Sequence, residues 1–313
     1  MARLCALHPP GQFRSELDAF RFGNGVLLRS LEAAESKSFL NWFGVPAWSD
    51  LGFRRMGLYA EEALTTAGDS DYDLYEKVRD VSFDSLAAVI CAMRLVKTGG
   101  VYTAARVAWI EPADSIGDRH WLPIRRTLGR HSDDEPAYEL KANDVPMIYA
   151  VLSRLDSVAG NVRVAIDRFV SLGERGSAAD RIIDLCIAME ALFGDAGDAI
   201  SYKVCLRMAR YIGRNPFRRR QVFNFMRTTY AVRSSIVHGE GGVTIQKRLS
   251  RRSPSGHGKY GFQSLNECAR ETEQFVRACL RKAVLEGKPN LDDLDMEAVG
   301  EGSDDGNPSR DIR

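Results

Sequence analysis

Residues 215–239 read NPFRRRQVFNFMRTTYAVRSSIVHG, and this stretch decides the fold of the C-terminal half. Asn215 followed by Pro216 is a helix start. The Asn side chain can accept from a free N–H of the first turn, and Pro suits that turn because its missing N–H would be unpaired there. Phe223, Met226, Tyr230, Arg233 and Val237 then recur at three- and four-residue steps, the spacing of one helix face. Gly239 and the Gly241-Gly242 pair close the helix.

Working outward, the same grammar repeats. Residues 200–212 form a helical pattern that ends at Gly213. Ser177 caps a helix over 178–193, with Ile182, Cys186, Met189 and Phe193 on its inner face and Gly194 as the stop. Residues 162–172 continue the series. Asp144 is placed to cap a helix with Pro146 in its first turn and Met147, Val151, Leu152 and Leu155 inward. Downstream, 240–262 reads as a Gly/Ser-rich loop, 265–285 as a last amphipathic helix, and 288–313 as an acidic, disordered tail. Residues 141–287 are therefore expected to be an all-α bundle.

Residues 1–140 read differently, as a mixed α/β domain. Strands are expected at 26–28, 101–110 and 138–140, with a helix over 83–96 that stops at Gly99-Gly100 and a polar loop over 119–136. The fold class that follows is α+β.

The 313 residues carry a formal net charge of +1, with 44% hydrophobic and 27% charged residues. This balance gives no global attraction to nucleic acid or membrane, so electrostatic targeting has to be local. No apolar run approaches the roughly 20 residues needed to span a bilayer, and the first 20 residues lack the apolar core of a signal peptide. A cytoplasmic protein with no membrane partner is expected. Cys5, Cys91, Cys186, Cys205, Cys268 and Cys279 include no C-x-x-C pair, so they read as reduced core thiols, with no metal and no cofactor expected.

Arg233 breaks the pattern of its stripe. A guanidinium facing a core is costly unless it is paired or used. His238 follows five residues later, about 140° further round a continuous helix. The two side chains converge only if the helix ends between them, and Ser234-Ser235, poor helix-interior residues, supply a place for that. Glu190, set between Met189 and Ala191, is the acid suited to orient either group, or simply to bridge to Arg233, as Asp184 could.

The stretch Arg233-Ser234-Ser235-Ile236-Val237-His238-Gly239 resembles the R-x4–6-H signature of the HEPN superfamily, in its Apea-like branch. Asp180-Arg181-Ile182-Ile183-Asp184, Ala188-Met189-Glu190-Ala191-Leu192-Phe193, Arg207-Met208-Ala209 and Tyr230 agree with that pattern in order and spacing. The short motif alone carries little, since it also occurs at Arg3/His8, Arg126/His131 and Arg252/His257; only Arg233/His238 closes a long helix in a matching bundle. The resemblance implies a HEPN-like helical bundle at residues 141–287 and a metal-independent endoribonuclease that works as a homodimer through the helical domain, in phage defence or stress. His238 would be the general acid–base; an imidazole, ordinarily titrating near about 6.5, suits that task. Arg233 would hold the phosphate, with Glu190, Ser234 and Tyr230 in support. The Tyr that one subgroup carries two residues after the His is Glu240 here. RNA would lie on Arg218, Arg219 and Arg220 and on Lys247, Arg248, Arg251, Arg252 and Lys259, with Tyr260 and Phe262 available for stacking. The alternative is a non-catalytic HEPN interaction, scaffolding or RNA-binding module.

Overall fold

The computed structural model describes residues 2–8, 13–30, 56–64, 85–101, 106–112, 120–125, 138–195, 199–250 and 261–300. The chain divides into two compact units: residues Met1–Ser157 with Val170–Gly176, and Val158–Phe169 with Ser177–Arg313. The class is α+β, with strands confined among the described residues to the first unit.

The first unit is built on an antiparallel sheet. Its strands are β1 (Ala2–His8), β3 (Ala19–Arg21), β4 (Leu27–Ser30), β5 (Met56–Leu64), β6 (Arg106–Pro112) and β7 (His120–Arg125), in the order β3-β4-β5-β1-β6-β7. Central β1 pairs Leu4 with Glu62 on one side and with Ile110 on the other. A separate parallel pair joins β2 (Phe13–Ser15) to β8 (Tyr138–Leu140). Antiparallel pairing suits a sheet that needs cover on one face only. Residues 85–96 form helix α1, in which Leu86, Val89, Ala92, Met93 and Leu95 are fully buried. The Tyr138 hydroxyl donates to the Met93 carbonyl across 3.2 Å. Gly99 has φ +145 beside the Tyr138 backbone, where a Cβ would lie 2.6 Å from the Tyr138 Cα. No other residue fits that approach.

Four expectations for this region change. Residues 119–136 were expected to be a loop, yet His120–Arg125 is strand β7, because β6 offers it an edge to pair with. Strand pairing is a tertiary event that local polarity does not report. Helix α2 (Val145–Leu152) belongs to the first unit, so the helical run does not begin a new unit at residue 141. It buries Ile148 rather than Met147, which is 39% exposed. Asp144 does not cap α2 with its side chain. Its carboxylate is taken by an ion pair with Lys97 and by the Lys141 N–H at 2.9 Å.

The second unit is helical: α3 (Gly160–Val170, through Phe169), α4 (Ala178–Phe193), α5 (Ile200–Ile212), α6 (Pro216–Val237), α7 (Gly242–Leu249), α8 (Leu265–Glu286) and α9 (Leu291–Gly300). The expected caps hold. The Ser177 hydroxyl accepts from the Asp180 N–H at 3.1 Å and the Asn215 side-chain amide oxygen from the Arg218 N–H at 2.8 Å. Helix α4 lies at the centre, packed by α5, α6 and α8. Leu185, Met189, Phe193, Met208, Phe225, Val276 and Leu280 are fully buried there. Each such side chain contributes about 2 kcal/mol of burial.

Helices α7 and α9 correct two further expectations. The loop expected over 240–262 contains α7, anchored by Leu249, which is 1% exposed. The tail expected to be disordered from residue 288 contains α9, in which Asp295 looks solvated in the sequence but has a partner here. Asp295 grips Arg207 with both oxygens, at 2.8 and 2.6 Å, and Leu294 is buried. Arg210 donates to the Leu294 carbonyl across 2.6 Å. Among the described residues no helix is long and apolar enough to cross a membrane.

Candidate functional site

Helix α6 continues through Ser234 and Ser235 to Val237 without a break. His238 is its C-terminal cap, at φ −81 and ψ 1, and Gly239 turns left-handed at φ +66. The Glu240 N–H then donates to the Ser235 carbonyl at 2.9 Å, closing the last turn. The two serines are accommodated because Ser235 is fully buried against the bundle while Ser234 points to solvent. Arg233 and His238 therefore remain about 140° apart around the axis and about 7.5 Å apart along it.

The real inner face of α6 is Val222, Phe225, Met226, Thr229, Tyr230, Val232 and Ser235. This face is rotated from the expected stripe, so Phe223 and Arg233 are half-buried and Val237 is 53% exposed. The polar members Thr229 and Ser235 hid it: Thr229 is sealed inside, hydroxyl to hydroxyl with Thr272 at 3.3 Å.

The charges of Arg233 and Glu190 both act on the Tyr230 phenol and on the Cys186 thiol of α4. Even so, no ion pair joins Arg233 to Glu190. The Arg233 Nε is sealed from solvent and has no hydrogen-bond partner among the described residues. Ser235 Oγ and Glu240 Oε2, at the same helix end, are also sealed and unpaired. Asp184, the other acid suited to hold Arg233, is bonded to Arg168 at 3.4 Å. His238 is exposed.

Tyr230 is 7% exposed, and its hydroxyl donates to the Cys186 carbonyl at 3.4 Å. Burial pushes its phenol far above the usual range, so it stays neutral and packs rather than titrates. Burial likewise raises the thiols of Cys186, Cys205, Cys268 and Cys279, the second and third to about 12. They are inert core groups.

The expected RNA contacts divide. Arg218, Arg219 and Arg220 lie in the first turns of α6, about 30 Å along the axis from His238. Arg218 and Arg220 are exposed, whereas Arg219 is half-buried, its Nε donating to the Gly213 carbonyl at 3.1 Å. Lys247 is exposed and Arg248 half-buried in the last turn of α7. Arg251, Arg252, Lys259 and Tyr260 lie outside the described residues. Phe262 cannot stack on a base: it is 4% exposed and packs edge-on against Phe225, 5.4 Å between ring centres.

Sequence reasoning missed the Arg207 clamp as a structural centre. Arg207 is the largest fully buried side chain. It donates to the Phe193 carbonyl at 2.7 Å, to Asp195 at 2.8 Å and to both oxygens of Asp295. These bonds hold both carboxyls below the ordinary carboxylate range. The isolated Asp in Leu294-Asp295-Met296 was the signal available, but only a partner far along the chain gives it meaning. Comparison with family models, with curated proteins and with solved structures finds no match for this chain.

Proposed function

We propose that the helical unit is a HEPN-type, metal-independent endoribonuclease acting in the cytoplasm, in phage defence or stress. The observation that carries this reading is Arg233: a half-buried guanidinium whose Nε is sealed and unpaired, one and a half turns from an exposed His238. A charged donor left without a protein partner is expensive as structure and suited to an incoming anion. His238 would take the proton from a ribose 2′-hydroxyl. The 2′-oxygen then bonds to phosphorus, the P–O5′ bond breaks, and the leaving 5′-oxygen is protonated. Arg233 would bind the phosphate oxygens as charge builds.

The helix geometry adds a requirement. With the two side chains about 140° apart on one helix, the proposal takes Arg233 from one copy and His238 from another for each phosphate. Homodimerisation through the helical unit is part of the proposal.

The test is RNA cleavage in EDTA, read by 2′,3′-cyclic phosphate ends. Arg233→Ala and His238→Ala are each expected to be inactive, and a mixture of the two to regain activity through one intact composite site. Cleavage unaffected by either substitution would sink the proposal.

A second reading is a non-catalytic RNA-binding or interaction module, favoured by the same angular separation. Salt-dependent RNA binding with no cleavage, unchanged by His238→Ala, would select it.

A further inference from the structure

Helix α7 folds back beside α6. Between it and the start of α8 lies an open cavity of about 460 Å3. Its walls are Ile245 and Leu249 from α7, Leu265 from α8, and the amide side chains of Gln246, Gln263 and Asn266. Leu249 is buried and forms part of the floor, while the three amide residues are exposed. Gln246 Nε2 reaches the Gln263 carbonyl at 3.4 Å. Among the described residues no other hydrogen bond engages these three amides.

The chemistry of this lining is specific. Among the described residues no charged side chain forms a wall, and that uncharged lining does not favour a bare phosphate or an ionised metabolite. An apolar floor accepts a flat, weakly hydrated face. Each amide presents a donor and an acceptor side by side, the pattern that pairs with the edge of a nucleobase. The volume falls within the range of small-molecule sites and accommodates a base with its sugar. Lys247 and Arg248 belong to the same helix without forming a wall, and they supply charge for the phosphates on either side. Gly242, in the cavity wall, follows His238 by four residues, at most about 14 Å of chain.

From this we propose that the cavity is a subsite for one unpaired nucleobase of RNA, adjacent to His238. The inference rests on the ribonuclease reading and deepens it: cleavage would favour single-stranded positions and carry a base preference at one nucleotide beside the scissile bond. Recognition of unpaired bases on their edges is the ordinary route to sequence reading in RNA.

The experiment measures fluorescence anisotropy of the full chain with four labelled homopolymeric RNA decamers and with an abasic ribose-phosphate decamer, at one ionic strength. Free adenosine, guanosine, cytidine and uridine are tested in parallel by saturation-transfer NMR. At least one base-bearing decamer is expected to bind about tenfold tighter than the abasic strand. The Gln263→Leu/Asn266→Leu variant, altered only at exposed positions, is expected to lose that margin while holding abasic RNA as before. Saturation transfer to the matching nucleoside should vanish with it. Equal binding of abasic and base-bearing strands overturns the subsite but leaves the ribonuclease reading intact. Absence of both decamer binding and nucleoside transfer overturns both. Base discrimination that survives in the variant places the recognition elsewhere and also overturns the subsite.

Discussion

Arg207 and Arg233 are arginines on neighbouring helices of one unit, and their surroundings are opposite. On α5, Arg207 is 2% exposed and bonded to a backbone carbonyl and two carboxylates, so its cost of burial is met inside the protein. On α6, Arg233 is half-buried, makes no ion pair with Glu190, and keeps a sealed Nε unpaired. The first arrangement holds α5, the end of α4 and α9 together. The second joins no other element, and in the function proposed its charge is kept for a phosphate. The difference teaches that an arginine on a helix face is read by its partners, not by its position in a motif.

The sharpest way to break this contrast is to truncate both. Arg207→Ala removes the donor to two part-exposed carboxylates and a buried carbonyl, and should cost about 1–3 kcal/mol in urea unfolding. Arg233→Ala should cost less than about 1 kcal/mol, since no hydrogen bond is lost. Equal losses would make Arg233 a structural residue and remove the main support for the function proposed.

His238→Ala should lower RNA cleavage by about 10²- to 10⁴-fold with the unfolding midpoint unchanged, because the imidazole is exposed and touches nothing that holds the fold. A shifted midpoint would mean that the cap residue matters to α6 itself.

Acid tests the clamp in turn. Hydrogen bonds from Arg207 hold Asp195 and Asp295 below their ordinary pKa. Each therefore stabilises the fold fully above the unfolded-state value of about 3.9, and that contribution is lost as pH falls through the folded value. Hydrogen exchange in α9 should accelerate below about pH 4 in the native chain. Asp295→Asn should remove most of this dependence and loosen α9 already at pH 7. An α9 that stays protected at pH 3 would show that Leu294 alone is a sufficient anchor.

Two backbone positions complete the series. Gly239→Ala forces a Cβ into the left-handed region and should cost about 1 kcal/mol, although no atom crowds the site. Ala199, before α5, already sits there at φ +58. Ala199→Gly should therefore be neutral or stabilising, by up to about 1 kcal/mol.

Local chemistry made much of the helical unit legible. Ser177, Asn215-Pro216, Gly194 and Gly213 mark element ends whatever surrounds them, because capping satisfies N–H and C=O groups within one turn. The buried stripe of α4 was legible for the same reason: its periodicity is strong and its residues apolar. The face of α6 was not, because Thr229 and Ser235 are polar letters that the bundle seals inside. Helices α7 and α9 were read as loop and tail because their own sequences bury little, and a short helix gains most of its stability from what it docks against.

The candidate site divides along the same line. The sequence by itself determined that an arginine and a histidine stand five residues apart at the end of a long helix, since caps and spacing are local. The tertiary structure decided that the helix runs through Ser234 and Ser235 to Val237 and that the Arg233 Nε stays unpaired. It also decided that Phe262 is spent on Phe225 and that α7 folds back to form an amide-lined cavity. Each of these depends on which surfaces the bundle brings together, and burial and pairing between distant segments have no signature at the scale of a single turn.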